Sequence, residues 1–165
     1  MISLRKNIPL PAILRMAIGD MNNHVEIGGK VMRVDEFMTT KIETIDENGS
    51  VYDAVETMVN RRIRSLVVLG HGRDSVDGVV TARDVVFKVL AKGLNPKNVK
   101  VAEIASRPII CVDGGMDFQE VSTLMEKSNI ARVFICEQGK VKGLVSLLDL
   151  MAAELIMRAR GDHGF

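Results

Sequence analysis

"GVVTARD" at residues 78–84 and "GLVSLLD" at residues 143–149 are the stretches on which the fold turns. Each runs from a glycine through two apolar residues to a hydroxyl, Thr81 or Ser146, and then to a carboxylate three residues on, Asp84 or Asp149. A short apolar run that ends in this way reads as a strand turning directly into a helix. The hydroxyl and the carboxylate form a capping box, satisfying free N–H groups at the helix start. The same geometry suits a ligand. Unsatisfied N–H donors and a positive dipole end make a seat for phosphate, and a carboxylate one turn into the helix can accept from both vicinal hydroxyls of a ribose. One copy argues only for a cap. Two copies of glycine, hydroxyl and carboxylate, 65 residues apart, favour the second use.

Working outward, the whole neighbourhood is written twice. "SVYDAVETMVNRR" (50–62) places Val51, Ala54, Val55 and Met58 on one helical face, with Ser50 at the N-cap and Asp53 three residues later. "DFQEVSTLMEKSN" (117–129) repeats the design with Asp117 and Glu120, and with Phe118, Val121, Leu124 and Met125. The apolar runs "SLVVL" (65–69) and "RVFIC" (132–136) follow, showing the weak alternation of strands covered on both faces. Extended pieces "KIETID" (41–46) and "PIICVD" (108–113) precede the helices, and each quoted motif opens another helix, from 82 to about 92 and from 147 to about 159. The unit is β-α-β-β-α. The expected fold is α/β (α+β), two such units related by a pseudo-twofold and packed through their sheets. The boundaries are an N-terminal extension at 1–33, unit 1 at 34–92, a linker at 93–100, unit 2 at 101–160 and a tail at 161–165. The extension is assigned as a strand or helix that wraps the pair or lies in an oligomer contact.

Composition narrows the function classes. A 47% hydrophobic and 26% charged chain reads as globular, and a net charge of +1 demands neither nucleic acid nor a membrane surface. The cluster Lys88, Lys92, Lys97 and Lys100 reads as a solvated helix end and linker. Cys111 and Cys136 lack C-x-x-C spacing and sit in apolar runs, which reads as two buried free thiols in a reducing cytoplasm. His24, His71 and His163 share no ligand spacing with them, so no metal is expected. The start, "MISLRKNIPLPAILRMAIGD", has two prolines and Arg15 inside its apolar stretch and is not read as a signal sequence.

The stretches "VDEFMTTKIETIDENGSVYDAVETM", "RSLVVL" and "GVVTARD", then "VAEIASRPIICVDGGMDFQEVSTLM", "ARVFIC" and "GLVSLLD", together resemble a tandem pair of CBS domains, the cystathionine β-synthase-type or Bateman module. The resemblance spans about residues 34–158. It implies two clefts for adenosine-containing ligands: AMP, ADP, ATP or S-adenosylmethionine. Thr81 and Asp84 would serve one, with Arg64, Ser65 and Arg83 near the phosphate and Val79, Ile130 and Val121 about the base. Ser146 and Asp149 would serve the other, with Ala131, Arg132, Leu144, Ile63 and Ala54. Each of the apolar residues, taken alone, reads more readily as core, and Arg64, Arg83 and Arg132 are also readable as surface. Two features depart from the family. Gly49 and Met116 replace the Thr that some relatives carry before the first helix, and Val67 and Phe134 replace a strand proline. A crowding Met116 would make the two clefts unequal.

The reading is a non-catalytic regulatory module. It shifts conformation when ligand binds and signals to an unidentified effector protein, and it assembles as a homodimer of four units. The competing readings are a ligand-free scaffold, in which the capping boxes only cap, and a nucleic-acid-binding protein. The near-zero charge and the absence of tryptophan argue against the last.

Overall fold

The computed structural model describes residues 2–4, 31–70, 75–138 and 140–161. The expectation for the N-terminal extension falls almost wholly outside these residues, as do most of the turn "GHGRDS" and the end of the tail. The described chain divides into two compact units, the first built mainly from 41–109 and the second from the segment before 41 together with 110 onward.

In the first unit, β2 (Thr44–Asp46) lies parallel to β3 (Ser65–Leu69), which runs antiparallel to β4 (Ser75–Thr81). The backbone of β1 (Ile2–Leu4) pairs parallel with β4. Helix α1 (Val51–Arg61) links β2 to β3, and α2 (Ala82–Lys88) leaves β4. The second unit repeats the order with β5 (Cys111–Val112), α4 (Phe118–Lys127), β6 (Arg132–Glu137), β7 (Lys140–Ser146) and α5 (Leu147–Arg160). This is the β-α-β-β-α unit read from the sequence, twice, in a mixed α+β fold.

Local sequence accounts for the helix starts. Ser50 Oγ accepts from the Asp53 N–H at 3.1 Å while Asp53 accepts from the Ser50 N–H at 3.0 Å; Asp117 and Glu120 make the matching box on α4. The Ser50 hydroxyl and N–H hold the Asp53 carboxyl below its ordinary value. Val51, Ala54 and Met58 of α1 then meet Leu66, Val68 and Val80 of the sheet, and Val121, Leu124 and Met125 of α4 meet Val133, Ile135 and Val145. Leu66, Val67 and Val68 are all buried, as are Val133, Phe134 and Ile135, so each of these strands is covered on both faces.

The segment between the repeats is more ordered than a linker. Val51 donates its N–H to the Val99 carbonyl at 2.9 Å, and the Lys97 ammonium lies 4.8 Å from the Tyr52 ring centroid. A short helix that the sequence reading missed, α3 (Val101–Ile104), follows. It packs in the first unit, with Val101 fully buried against α1 and the sheet. Its counterpart, the 3₁₀ turn Val34–Glu36, packs in the second, with Val34 fully buried. The contacts match pair by pair. Val101 and Ala102 donate to the carbonyls of Gly49 and Glu47, and Val34 and Asp35 donate to those of Met116 and Gly114. Each repeat therefore contributes its leader segment to the compact unit that holds the body of the other repeat.

The cysteines depart from expectation. Cys111 and Cys136, on the neighbouring strands β5 and β6, form a disulfide with a Cα–Cα distance of 5.5 Å, so neither is the free thiol that the apolar runs suggested. Spacing alone conceals the pair, because adjacency across a parallel strand pair is a tertiary fact. The bond closes a loop 25 residues apart in sequence that carries α4. Replacing Cys111 with Ser, or reducing the bond, is expected to lower unfolding stability by roughly 3 kcal/mol in urea titrations, with little effect of reductant on the Cys111→Ser variant.

Candidate functional site

The candidate site is the strand-to-helix junction that the quoted motifs encode, present once in each unit. In the first, Thr81 ends β4 and caps α2. Its N–H and hydroxyl donate to Asp84 Oδ2 at 2.9 and 2.6 Å, and the Asp84 N–H donates back to Thr81 Oγ1 at 3.1 Å. In the second, Ser146 ends β7 and caps α5. It donates to Asp149 Oδ2 from its N–H at 2.7 Å and from its hydroxyl at 2.5 Å. One carboxylate oxygen at each junction is thus committed to the cap. The other, Oδ1, is what remains for anything else.

The strand start beside each hydroxyl is where the sequence placed it. Ser65 pairs with Thr81, and the Arg64 carbonyl accepts from the Ala82 N–H at 3.0 Å. Arg132 pairs with Ser146, and the Ala131 carbonyl accepts from the Leu147 N–H at 3.2 Å. The Arg64 and Ala131 side chains are exposed, those of Ser65 and Arg132 half-buried. Arg83 takes the surface role. Its guanidinium lies 5.4 Å from the Phe87 ring centroid, one turn along α2, and this contact holds it on the helix face.

The apolar candidates divide. Leu144 is half-buried and Val79 is nearly buried, both on the strand that leads to the hydroxyl. Ile63 and Ile130 are half-buried residues packed against the cores of the first and second units respectively. Ala54 and Val121, by contrast, have no exposed surface and pack in the cores of the first and second units. The helical spacing that put them on the apolar face of their helices is the spacing that turns them inward.

Three neighbours of the motif carboxylates escaped the sequence reading: Thr39, Ser106 and Lys88. Thr39 Oγ1 donates to Asp149 Oδ1 at 3.2 Å, while Ser106 Oγ approaches Asp84 Oδ1 at 3.5 Å. Both come from the exchanged leaders. The Thr39 backbone bridges Leu144 and that of Ser106 bridges Val79, each through two N–H···O=C bonds. Their signal was present, since "VDEFMTT" and "VAEIASR" align at an offset of 67 residues, but nothing in that alignment says which unit each segment joins. Lys88 was grouped with a solvated basic cluster. It instead makes an ion pair with Asp84 Oδ1 at 2.7 Å.

The glycine of each motif admits this bridging backbone. A Cβ at Gly78 would stand 2.7 Å from the Ser106 carbonyl oxygen; one at Gly143 would stand 2.6 Å from Met38 Sδ and 3.0 Å from the Thr39 carbonyl oxygen. Among the described residues, no three His, Cys, Asp or Glu side chains gather as metal ligands would, and no helix is long and apolar enough to cross a membrane.

Comparison with known proteins places this arrangement. The model of the CBS domain matches residues 34–91 and 101–156, and the chain belongs to that family, as a CBS-domain pair. It is similar to an uncharacterised protein of Methanopyrus kandleri, 32% identical over 76% of this chain, which spans 61% of that relative's length. It is also similar to hypoxic response protein 1 of Mycobacterium tuberculosis, 29% identical over 70% of this chain and 80% of the relative. Among solved structures, the hexameric CBS-CP12 protein from bloom-forming cyanobacteria superposes with a TM-score of 0.68. It is 28% identical, over 80% of this chain and 85% of that one.

The two glycines do not face equal obstacles. Gly78→Ala meets a backbone carbonyl fixed by a two-bond bridge, whereas Gly143→Ala first meets a flexible thioether. Urea unfolding is expected to show Gly78→Ala destabilised by about 1–3 kcal/mol and Gly143→Ala by less.

Proposed function

We propose that the chain is a non-catalytic regulatory module that binds an adenosine-containing ligand (AMP, ADP, ATP or S-adenosylmethionine) at its hydroxyl–carboxylate junctions and passes the binding event to a protein partner. The observation that carries this reading is the Ser146–Asp149 junction. Asp149 is half-buried, its Oδ2 is fixed by the cap, and among the described residues its Oδ1 accepts only the Thr39 hydroxyl, at 3.2 Å. A ribose hydroxyl can replace another hydroxyl there at small net cost, because one neutral donor exchanges for another. The neighbouring Ser146 hydroxyl and the first N–H groups of the 14-residue helix α5 provide the donors and positive dipole that a phosphate or other anionic group would use. Arg132, paired with Ser146 across the strands, adds a cation nearby.

A ligand of this kind acts on its own packing. Thr39 belongs to an exchanged leader, so displacing its hydroxyl from Asp149 biases the position of the segment that also carries Val34 into the core. A partner reads a change in that segment as a shift between two states of unequal ligand affinity.

Self-association is part of the proposal. Leu148, Met151 and Leu155 are exposed at 65–70% and recur at helical spacing along α5, and Phe87 and Leu90 are exposed at and just beyond the end of α2. Apolar stripes of this kind on exposed helices suit burial against a second copy, as a homodimer of four CBS units or a larger ring.

Equilibrium dialysis against millimolar AMP, ATP and S-adenosylmethionine is expected to show retention of at least one. Asp149→Asn should lower that retention while the ligand-free fold keeps its stability to within about 1 kcal/mol. Retention of none of the three contradicts the reading and favours a scaffold whose boxes only cap. In light scattering after size exclusion, Leu148→Glu with Leu155→Glu is expected to reduce an oligomer to the monomer.

A further inference from the structure

The two junctions share their caps and differ in what holds the remaining carboxylate oxygen. Asp149 Oδ1 meets one neutral hydroxyl at 3.2 Å. Asp84 Oδ1 meets the Lys88 ammonium at 2.7 Å, with the Ser106 hydroxyl at 3.5 Å. The ammonium is tethered a second time, donating to the Ile104 carbonyl, also at 2.7 Å, where the exchanged helix α3 ends. Asp84 is left 8% exposed, the one buried charged residue among those described. Position 153 holds the place of Lys88 in the second repeat, and there the chain has Ala153, fully buried. No cation can arise at that point in the second unit.

We infer that Lys88 is a latch that closes the Asp84 junction to sugar diols, so that the chain takes up one nucleoside ligand, at Asp149, and not two. The chemistry follows from the donors. A diol approaching Asp149 exchanges one hydroxyl for another. A diol approaching Asp84 must displace a charged donor from a buried carboxylate and leave the ammonium with a single carbonyl partner. Charge-assisted bonds are about twice as strong as neutral ones, and losing one weakens binding by roughly 10- to 100-fold. The i to i+4 placement on α2 puts the latch at the carboxylate without any loop movement, and its tether to Ile104 keeps it there. Met116, which the sequence suggested as the source of inequality, is not needed for it. The two-site expectation drawn from the doubled motif becomes a one-site expectation with a specificity residue outside the motif.

The inference rests on the adenosine-ligand reading, and its test separates the two. Titration calorimetry and equilibrium dialysis with AMP and with ATP would be run on the wild type, Lys88→Met, Lys88→Gln, Lys88→Met with Asp84→Asn, and Asp149→Asn, with near-ultraviolet circular dichroism as a check on folding. The expected stoichiometries are one per chain for the wild type and none for Asp149→Asn. Lys88→Met and Lys88→Gln should give two, and adding Asp84→Asn to Lys88→Met should return the count to one. The glutamine variant serves if the methionine variant does not fold. Two equivalents on the wild type, or one on both Lys88 variants, overturns the latch and leaves the adenosine reading standing. No binding by any form overturns both.

Discussion

A hydroxyl and a carboxylate three residues apart, each accepting from the other's end of the backbone, fix the place where a strand becomes a helix in both units. At Thr81–Asp84 and Ser146–Asp149 the same pair of side chains ends the strand, starts the helix and orients one carboxylate oxygen away from the cap. The rest of the site follows from that orientation. Because Oδ2 is spent on the N–H and hydroxyl of the capping residue, any partner has to come to Oδ1, and what comes to Oδ1 decides what each junction can do. An N-terminal cap is ordinarily a stability device. Here it also aims a charge.

The second constraint is the exchange of leader segments. Each unit has its sheet and helices from one repeat but seals its core with a valine from the other, Val101 in the first and Val34 in the second. The exchange delivers Ser106 to Asp84 and Thr39 to Asp149, and Gly78 and Gly143 lie where the incoming backbone bridges the motif strand. Neither unit is complete from its own repeat, which accounts for a chain of CBS domains occurring here as a pair. The same arrangement ties the surroundings of each carboxylate to core packing, since the segment that donates to the carboxylate is also the one that fills the interior.

Near-identity of the two motifs coexists with unequal chemistry. The donations to Oδ2 match at the two junctions, 2.9 and 2.6 Å against 2.7 and 2.5 Å, yet among the described residues an ammonium stands at one carboxylate and not at the other. The difference traces to Lys88 against Ala153, one turn beyond the motif. Duplication sets the frame of each junction, and single positions outside the frame set its use.

Much of this was written locally. The four capping boxes, the strands at 65–69 and 132–137, the two amphipathic helices and the β-α-β-β-α order are all consequences of residues within a turn or two of one another, and the sequence by itself determined them. The same local physics put Ala54 and Val121 on the apolar faces of their helices, and both are fully buried there. What only the tertiary structure decided depends on groups distant in the chain. The Cys111–Cys136 bond, the short helix at Val101–Ile104, the arrival of Thr39 and Ser106 at the carboxylates and the second tether of Lys88 on Ile104 are of this kind. Periodicity and capping report a residue's relation to its own helix or strand. They carry no information about which distant segment closes against it, and in this protein that closure brings a hydroxyl to Oδ1 of each motif carboxylate.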